Sequence, residues 1–317
     1  MIHIAVVGAG ALGIRHIEAL GRLEGKVMVD VVDPSPQARA RALEVAAALP
    51  SLSVSVHDGS APAPAGGDIA IIACNSRQRR VVADQMLAAG WRNLILEKVL
   101  FPALEDYDAV AARIRQAGAA VWVNCARRTF PYAERLHRIF SSAPFAYTVE
   151  GGEWGLACNI VHHLDEVAYL SGRSDFSIDV CGLDEGVLAA KRDGYFEITG
   201  TIRASLGDGT AFIATARRGA DPQRAVHIAR QGASAEIDQG GEKLTLSEGG
   251  AIKVLDYPIP RQSVVTTDHV KRILSGEAPN LPDFTSAAAL HKSLITALLP
   301  HFATALGEPD LKECPIT

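Results

Sequence analysis

Paired cysteines, an excess of charge of one sign and long apolar runs are all missing from this chain. Its 31 Lys and Arg stand against 36 Asp and Glu, a formal net charge of −5, and the basic residues form no block. Nucleic acid is therefore excluded as the main partner, because it would demand a concentrated cationic face. The five cysteines, Cys74, Cys125, Cys158, Cys181 and Cys314, are scattered and odd in number, with no CxxC pair. Neither a disulfide framework nor a zinc knuckle is expected, and free thiols fit a reducing cytoplasm. No apolar run reaches the length of a membrane span, and the segment from Ser293 to Leu306 is interrupted by Pro300 and His301. No basic stretch and hydrophobic core precede the first predicted strand, so export is not expected.

What the chain does have is 48% apolar residues over 317 positions, enough for two domains and a substantial core. The most informative stretch is Val6-Val7-Gly8-Ala9-Gly10-Ala11-Leu12-Gly13. A short apolar run, Ile2 to Val7, reads as a buried parallel strand, and Ile14, Ile17 and Leu20 continue with helical spacing. Gly8 permits the tight turn, Gly10 lets the backbone approach a pyrophosphate, and Gly13 lets the helix sit close to the strand. The first amides of that helix and its dipole favour the negative charge. A second strand, Lys26 to Val32, ends in Asp33, whose carboxylate can accept from adenosine ribose hydroxyls. That carboxylate would repel a 2′-phosphate, so NAD is expected over NADP. Arg39 is the nearby cation that keeps NADP open.

Alternation continues: a helix over 37–48, a strand over 52–56, a loop over 59–67 and a strand over 69–73 ending in Cys74-Asn75-Ser76. A helix over 80–89, a strand over 93–96 ending in Glu97-Lys98, a helix over 104–116 and a strand over 119–123 ending in Asn124 complete the pattern. Such alternation predicts an α/β, doubly wound parallel sheet of the Rossmann type, with ligands beyond the carboxyl ends of the strands. Asp33, Asn75, Lys98 and Asn124 all fall at such ends.

After about residue 125 the pattern changes. Helices are predicted over 131–140 and 159–170 and a strand over 146–151. From Tyr195 to Asp256 the text is strand-like: 196–202, a Gly207-Asp208-Gly209 turn, 211–216, 225–230, 235–237 and 243–246. Hairpin connections imply an α+β second domain with a largely antiparallel, open sheet. Residues 283–306 form an apolar helical segment, expected to break near Pro300 and to pack back towards the N-terminal domain. The expected domains are 1–123 for the dinucleotide and 124–317 for substrate and oligomerisation.

Two groups carry candidate chemistry. An ammonium at Lys98, over the nicotinamide end of a cofactor seated on Gly8 to Gly13, could hydrogen-bond a substrate hydroxyl and stabilise developing alkoxide. A plain solvated lysine is the bland alternative. In the helix Cys158 to Glu166, Ile160, Val161, Leu164, Val167 and Ala168 share one face, and His162 lies near the centre of the other. An imidazole there could take the hydroxyl proton, with Asp165 one turn on setting its tautomer. His163 sits at the apolar boundary. Cys158 and His162 also have the i, i+4 spacing of a metal pair, but no further cluster completes a ligand set, and no metal is expected. Arg127 and Arg128, beside Asn124, could bind a phosphate or carboxylate. Trp154 could stack on a sugar or a base, although such a residue is more often core.

Taken together, Gly8 to Gly13, Ala73-Cys74-Asn75, Glu97-Lys98, the histidine helix and the sheet-rich second half resemble the glucose–fructose oxidoreductase/inositol dehydrogenase family, Gfo/Idh/MocA. The family's Glu-Lys-Pro is matched by Lys98, with Val99 in place of proline. Its Asp-x-Gly-x-His-x-x-Asp is matched by His162 and Asp165, with Cys158 at the first Asp and Ile160 at the Gly. Asn-x-x-His-x-x-Asp and Asn-Cys-x-Arg-Arg-x-Phe-Pro are similar to members acting on sugars or nucleotide sugars. The resemblance implies an NAD-dependent oxidoreductase for a secondary alcohol of such a substrate, with Lys98 and His162 catalytic. Cofactor contacts are expected from Gly8, Gly10, Ala11, Leu12, Gly13, Asp33, Cys74, Asn75, Glu97 and Lys98. Substrate contacts are expected from Asn124, Arg128, Asn159, His163 and Asp165. It also implies homodimers or homotetramers built on the open faces of the second sheet. The departures at Cys158 and Val99 keep open a non-catalytic dinucleotide sensor, and an enzyme that recycles tightly bound NAD is a second alternative.

Overall fold

A computed structural model describes residues 1–317, which divide into two compact units. The first unit comprises Met1–Phe101, Glu105–Asn124 and Pro260–Ala287. It contains β1 (Ile2–Val7), α1 (Ala11–Leu20), β2 (Val27–Val32), α2 (Pro36–Ala47) and β3 (Leu52–His57). These are followed by β4 (Ile69–Ile72), α3 (Ser76–Ala88), β5 (Asn93–Leu96), α4 (Leu104–Ala117) and β6 (Ala120–Val123). The six strands are parallel in the order β3-β2-β1-β4-β5-β6. β4 is buried at all four positions, which is why its sequence is an unbroken apolar run; β2 alternates because one face is less covered. The order reverses between β1 and β4, and the ends of these two strands frame the crevice where such sheets take ligands.

The second unit comprises Pro102–Leu104, Cys125–Ile259 and Ala288–Thr317. A tight helical turn over Ala126–Thr129 leads to α5 (Ala133–Phe140), β7 (Ala146–Gly151) and α6 (Leu156–Ser171). Then come β8 (Ser177–Leu183), β9 (Leu188–Ala189), β10 (Phe196–Glu197), β11 (Gly200–Ser205) and β12 (Ala211–Ala216). The sheet is completed by β13 (Arg224–Arg230), β14 (Ala233–Asp238), β15 (Lys243–Glu248) and β16 (Ala251–Asp256). Eight strands pair in the order β16-β15-β14-β13-β7-β12-β11-β8, all antiparallel except the parallel β7–β12 pair. Tyr147, Val149, Phe212, Ala214, Val226 and Ile228 turn inward and are buried, giving the sheet its core face.

Three expectations change. The run 196–202 is not one strand: β10 pairs only with β9, and β11 begins at Gly200. Gly200 has φ +102°, and a Cβ there would lie 2.5 Å from the Asp184 amide nitrogen, so the chain turns where only glycine fits. A helix, α7 (Gln262–Leu274), stands where none was expected. Its buried side is largely polar, with Ser263, Thr266, Thr267 and His269 beside Val265, Val270 and Ile273, so it lacks an apolar stripe. Thr267 Oγ1 donates to the Ala19 carbonyl at 2.9 Å, docking α7 on α1. Finally, α8 (Phe284–Leu306) runs through Pro300 without a break. Pro300 forfeits one helical hydrogen bond, a cost of about 3 kcal/mol. Burial of Leu290, Leu294, Ile295, Leu298 and Phe302 on that helix outweighs it.

Candidate functional site

In the first unit, the glycine loop is shaped by backbone crowding. Gly8 has φ +96°, and a Cβ on it would lie 2.6 Å from the Cys74 amide nitrogen. A Cβ on Gly13 would meet the Gly8 carbonyl oxygen at 1.9 Å, so α1 packs on the turn only because position 13 has no side chain. Gly10, the N-cap of α1, offers no side-chain cap, and a Cβ there would meet nothing within 4 Å. No side chain caps the first-turn amides at Ala11, Leu12 and Gly13, the donors that a helix N-terminus offers to a pyrophosphate. Replacing Gly13 by Ala is expected to cost about 3 kcal/mol. Gly10→Ala should leave the denaturation midpoint unchanged while weakening NAD in a titration. Undiminished NAD affinity in Gly10→Ala would rule out the cradle.

Asp33 anchors the far side of this loop. Its Oδ2 accepts the Ala9 amide at 2.7 Å and its Oδ1 the Ser35 amide at 2.8 Å, so the carboxylate is oriented before any ligand arrives. Arg39 does not pair with that carboxylate; its Nη1 donates to the Asp33 and Pro34 carbonyls at 2.7 and 3.0 Å. Beside the loop, Val7, Val32, Pro62, Val82 and Met86 line a small, largely apolar cavity.

At the ends of β4 and β5 the arrangement depends on a residue that sequence reasoning missed. Arg79, fully buried in the first turn of α3, donates to the Val99 carbonyl, to the Leu100 carbonyl at 3.0 Å and to the Cys74 carbonyl. One guanidinium thereby holds both strand-end loops, including the one that carries Lys98. The Lys98–Val99 peptide bond is cis. Asn75 caps α3, its side chain accepting the Gln78 amide at 3.2 Å. Lys98 is half-buried.

Glu97 points the other way, into the unit. Its Oε1 is 3.1 Å from His16 Nε2 and accepts from Asn124 Nδ2. His16 Nδ1 in turn contacts Thr266 Oγ1 at 2.8 Å. Burial alone would raise the Glu97 carboxyl, but the hydrogen bond and charge of His16, then Asn124, hold it below the usual carboxylate range. Asn124 Oδ1 is buried without a partner, an acceptor at the ligand edge of the sheet. The cradle and the oriented Asp33 both fit a bound dinucleotide. His16 carries no motif of its own beyond lying three residues past Gly13.

In the second unit, α6 presents His162 half-buried, while His163 is wholly buried. Successive helical residues diverge by about 100°. His163 Nδ1 donates to Tyr147 Oη at 2.8 Å, and Tyr147 donates to Glu166 Oε2 at 2.6 Å, an assignment that follows from the carboxylate being acceptor only. Burial, then the charges of Arg127 and Arg224, hold the His163 imidazole far below its ordinary pKa, so it is neutral. Arg127 Nε donates to Glu166 Oε2 at 2.6 Å. Arg128 grips Asp165 with two bonds, of 3.0 and 2.6 Å. Burial pushes the Asp165 carboxyl up to about 6, against the pull of Arg128. The adjacent arginines are thus matched to adjacent acids, bracing α6 against the turn at 126–129. Asn159 Nδ2 donates to the Trp154 carbonyl at 2.8 Å, and Cys158 Sγ lies 3.6 Å from the Gly155 carbonyl. The side chains give no group of three or more His, Cys, Asp or Glu that could hold a metal ion.

Comparison with known proteins agrees with this arrangement. Residues 2–125 match the family model described as oxidoreductase family, NAD-binding Rossmann fold, which is that of Gfo/Idh/MocA. No curated protein matches the chain. UDP-N-acetylglucosamine 3-dehydrogenase from Acidithiobacillus ferrooxidans superposes with a TM-score of 0.70 at 18% identity, over 93% of this chain and 96% of that one. An oxidoreductase from Agrobacterium radiobacter, in complex with NAD+, L-tartaric acid and magnesium, gives 0.71 at 14% identity, over 96% of each chain. A levoglucosan dehydrogenase in complex with NADH and levoglucosan gives 0.69 at 13%, over 95% of this chain and 98% of that one. At these identities the likeness establishes the two-part fold. Over residues 2–125, the first part of the chain, the sequence is thus similar to the NAD-binding Rossmann domain of the Gfo/Idh/MocA oxidoreductases.

Proposed function

We propose that the protein is an NAD-dependent dehydrogenase that oxidises a secondary alcohol of a sugar, sugar derivative or nucleotide sugar to a ketone. The observation that carries the reading is the place of Lys98, which follows β5 at the same sheet edge as the glycine cradle and Asp33. When bound, NAD supplies the hydride acceptor. The chain supplies the rest: His162 takes the hydroxyl proton, and Lys98 hydrogen-bonds the reacting oxygen and stabilises its developing charge. Asn124 and Asn159 offer amide groups for substrate hydroxyls. Of the other expected substrate contacts, Arg128 and Asp165 are paired with each other and fix α6, and His163 is wholly buried against Tyr147. This reading assigns dinucleotide binding to residues 1–123 and substrate binding to 124–317. The sugar-directed activities named for two of the structural neighbours support the substrate class.

The face of the large sheet opposite α6 supports pairing of two copies. Ala146, Ile213 and Ala225 are exposed on it beside half-buried Thr148. The five free thiols suit a reducing cytoplasm, and no helix is long and apolar enough to cross a membrane. The deciding experiment incubates the full chain with NAD and a panel of sugars and nucleotide sugars and follows NADH. Tight NAD binding with no NADH from any alcohol would overturn the reading.

A further inference from the structure

The inner face of the large sheet holds one cation that nothing in the protein answers. Arg224 opens β13 on the same face as buried Val226 and Ile228. Its guanidinium carbon lies over the Trp154 ring, 5.4 Å from the centroid. Beyond that stacking the side chain has neither a hydrogen bond nor an ion pair. The groups that bear on it are Arg127, Tyr147 and Cys158, none of them a carboxylate. Glu166 is already committed to Arg127 and Tyr147. Arg224 acts in turn on His163, which is neutral. Burial, then the charge of Arg127, draws the Arg224 guanidinium down to about 10, which still leaves it protonated at neutral pH. The local sum is one uncompensated positive charge on a half-buried surface. Removing a cation from water without a counter-ion is costly. Its neighbour Cys158 stands one helical turn before His162 on the same side of α6.

We propose that Arg224 selects the substrate for an oxyanion, a carboxylate or phosphate group carried by the sugar, which supplies the counter-charge the protein lacks. Trp154 covers the face of the guanidinium and leaves its edge, with the N–H donors, for two oxygens. The inference deepens the dehydrogenase reading and rests on it for the assignment of α6 to the substrate. It differs from the expectation for Arg127 and Arg128, both of which are satisfied by acids of α6.

The test measures binding of D-glucuronate, UDP-glucose and D-glucose to the NAD-loaded full chain by calorimetry. At least one anionic probe is expected to bind tenfold or more tighter than D-glucose. Arg224→Met should weaken that probe about tenfold to a hundredfold, the worth of charge-assisted hydrogen bonds, and leave D-glucose unchanged. Arg224→Lys should recover part of the loss. Whether glucuronate or UDP-glucose is the probe that responds identifies the carboxylate or the phosphate as the source. Cys158→Asp, which places a rival carboxylate beside Arg224, should weaken the same probe. Ligand-free Arg224→Met should melt no lower than the native chain, because a charge without a partner has been removed. A clear fall in melting temperature assigns the side chain to the fold and overturns the proposal. So does equal binding of charged and neutral probes, an unchanged affinity in Arg224→Met, or binding of none of the three. NADH formed from a neutral sugar equally well in Arg224→Met keeps the dehydrogenase and removes the anion site. Anion binding lost in Arg224→Met with no NADH from any alcohol does the reverse.

Discussion

Replacing His162 by Ala is expected to cut turnover about 100-fold to 10,000-fold, the usual worth of a positioned general base. Lys98→Ala should cost a comparable factor, because an ammonium aimed at an oxygen that gains charge acts chiefly in the transition state. Neither change should move the NAD dissociation constant by more than about threefold, since the proposed site gives the pyrophosphate and ribose to the amides of α1 and to Asp33. The double variant should lose much less than the product of the two factors, because the proposed mechanism has both groups serve one proton and one oxygen. Stopped-flow turnover beside NAD titration separates these outcomes. A His162→Ala protein within tenfold of native turnover removes the assigned base. A Lys98→Ala protein that loses NAD affinity as steeply as turnover turns Lys98 into a cofactor anchor.

The largest effect on stability is expected at Glu166. Arg127 is buried, its Nε reaches Glu166 at 2.6 Å, and its Nη2 already lacks a hydrogen-bond partner. Glu166→Leu strands that guanidinium and also takes the acceptor from Tyr147. The expected cost is about 3–5 kcal/mol, read in a melt as a fall of roughly 10 °C. Burial lowers the Arg127 pKa and Glu166 raises it, so the variant loses that support, but an intrinsic pKa above about 12 keeps the stranded guanidinium charged. Removing both charges, in Arg127→Leu with Glu166→Leu, should restore most of the loss, since a buried pair is worth far less than either half stranded alone. A Glu166→Leu melt within about 2 °C of the native one, or a double variant no better than the single, would show that the pair does not brace α6.

Much of the first unit was legible because its physics is local. Gly13 is required by the Gly8 carbonyl five residues before it, Gly8 takes a positive φ in the turn itself, and Asp33 follows at the end of the next strand. Fully buried parallel strands such as β4 spell themselves as apolar runs. Other parts were illegible for equally physical reasons. α7 buries threonines and a histidine against α1, with Thr266 meeting His16 from 250 positions away, and no periodicity marks it. Arg79 looks like one arginine among several on an exposed helix until its carbonyl partners are seen. The tandem arginines read equally well as a phosphate clamp or as surface charge. In the fold they are matched to Asp165 and Glu166, nearly forty positions on.

Sequence alone determined the parallel α/β first half, the anion cradle, the acidic residue beside it and the lysine at the end of β5. Each follows from neighbours in the chain or from the period of a strand or helix. Tertiary structure decided which charges are answered: Glu97 by His16, Arg127 by Glu166, Arg128 by Asp165, and Arg224 by none. Charge compensation in a low-dielectric interior depends on distance in space, and spacing along the chain carries no record of it.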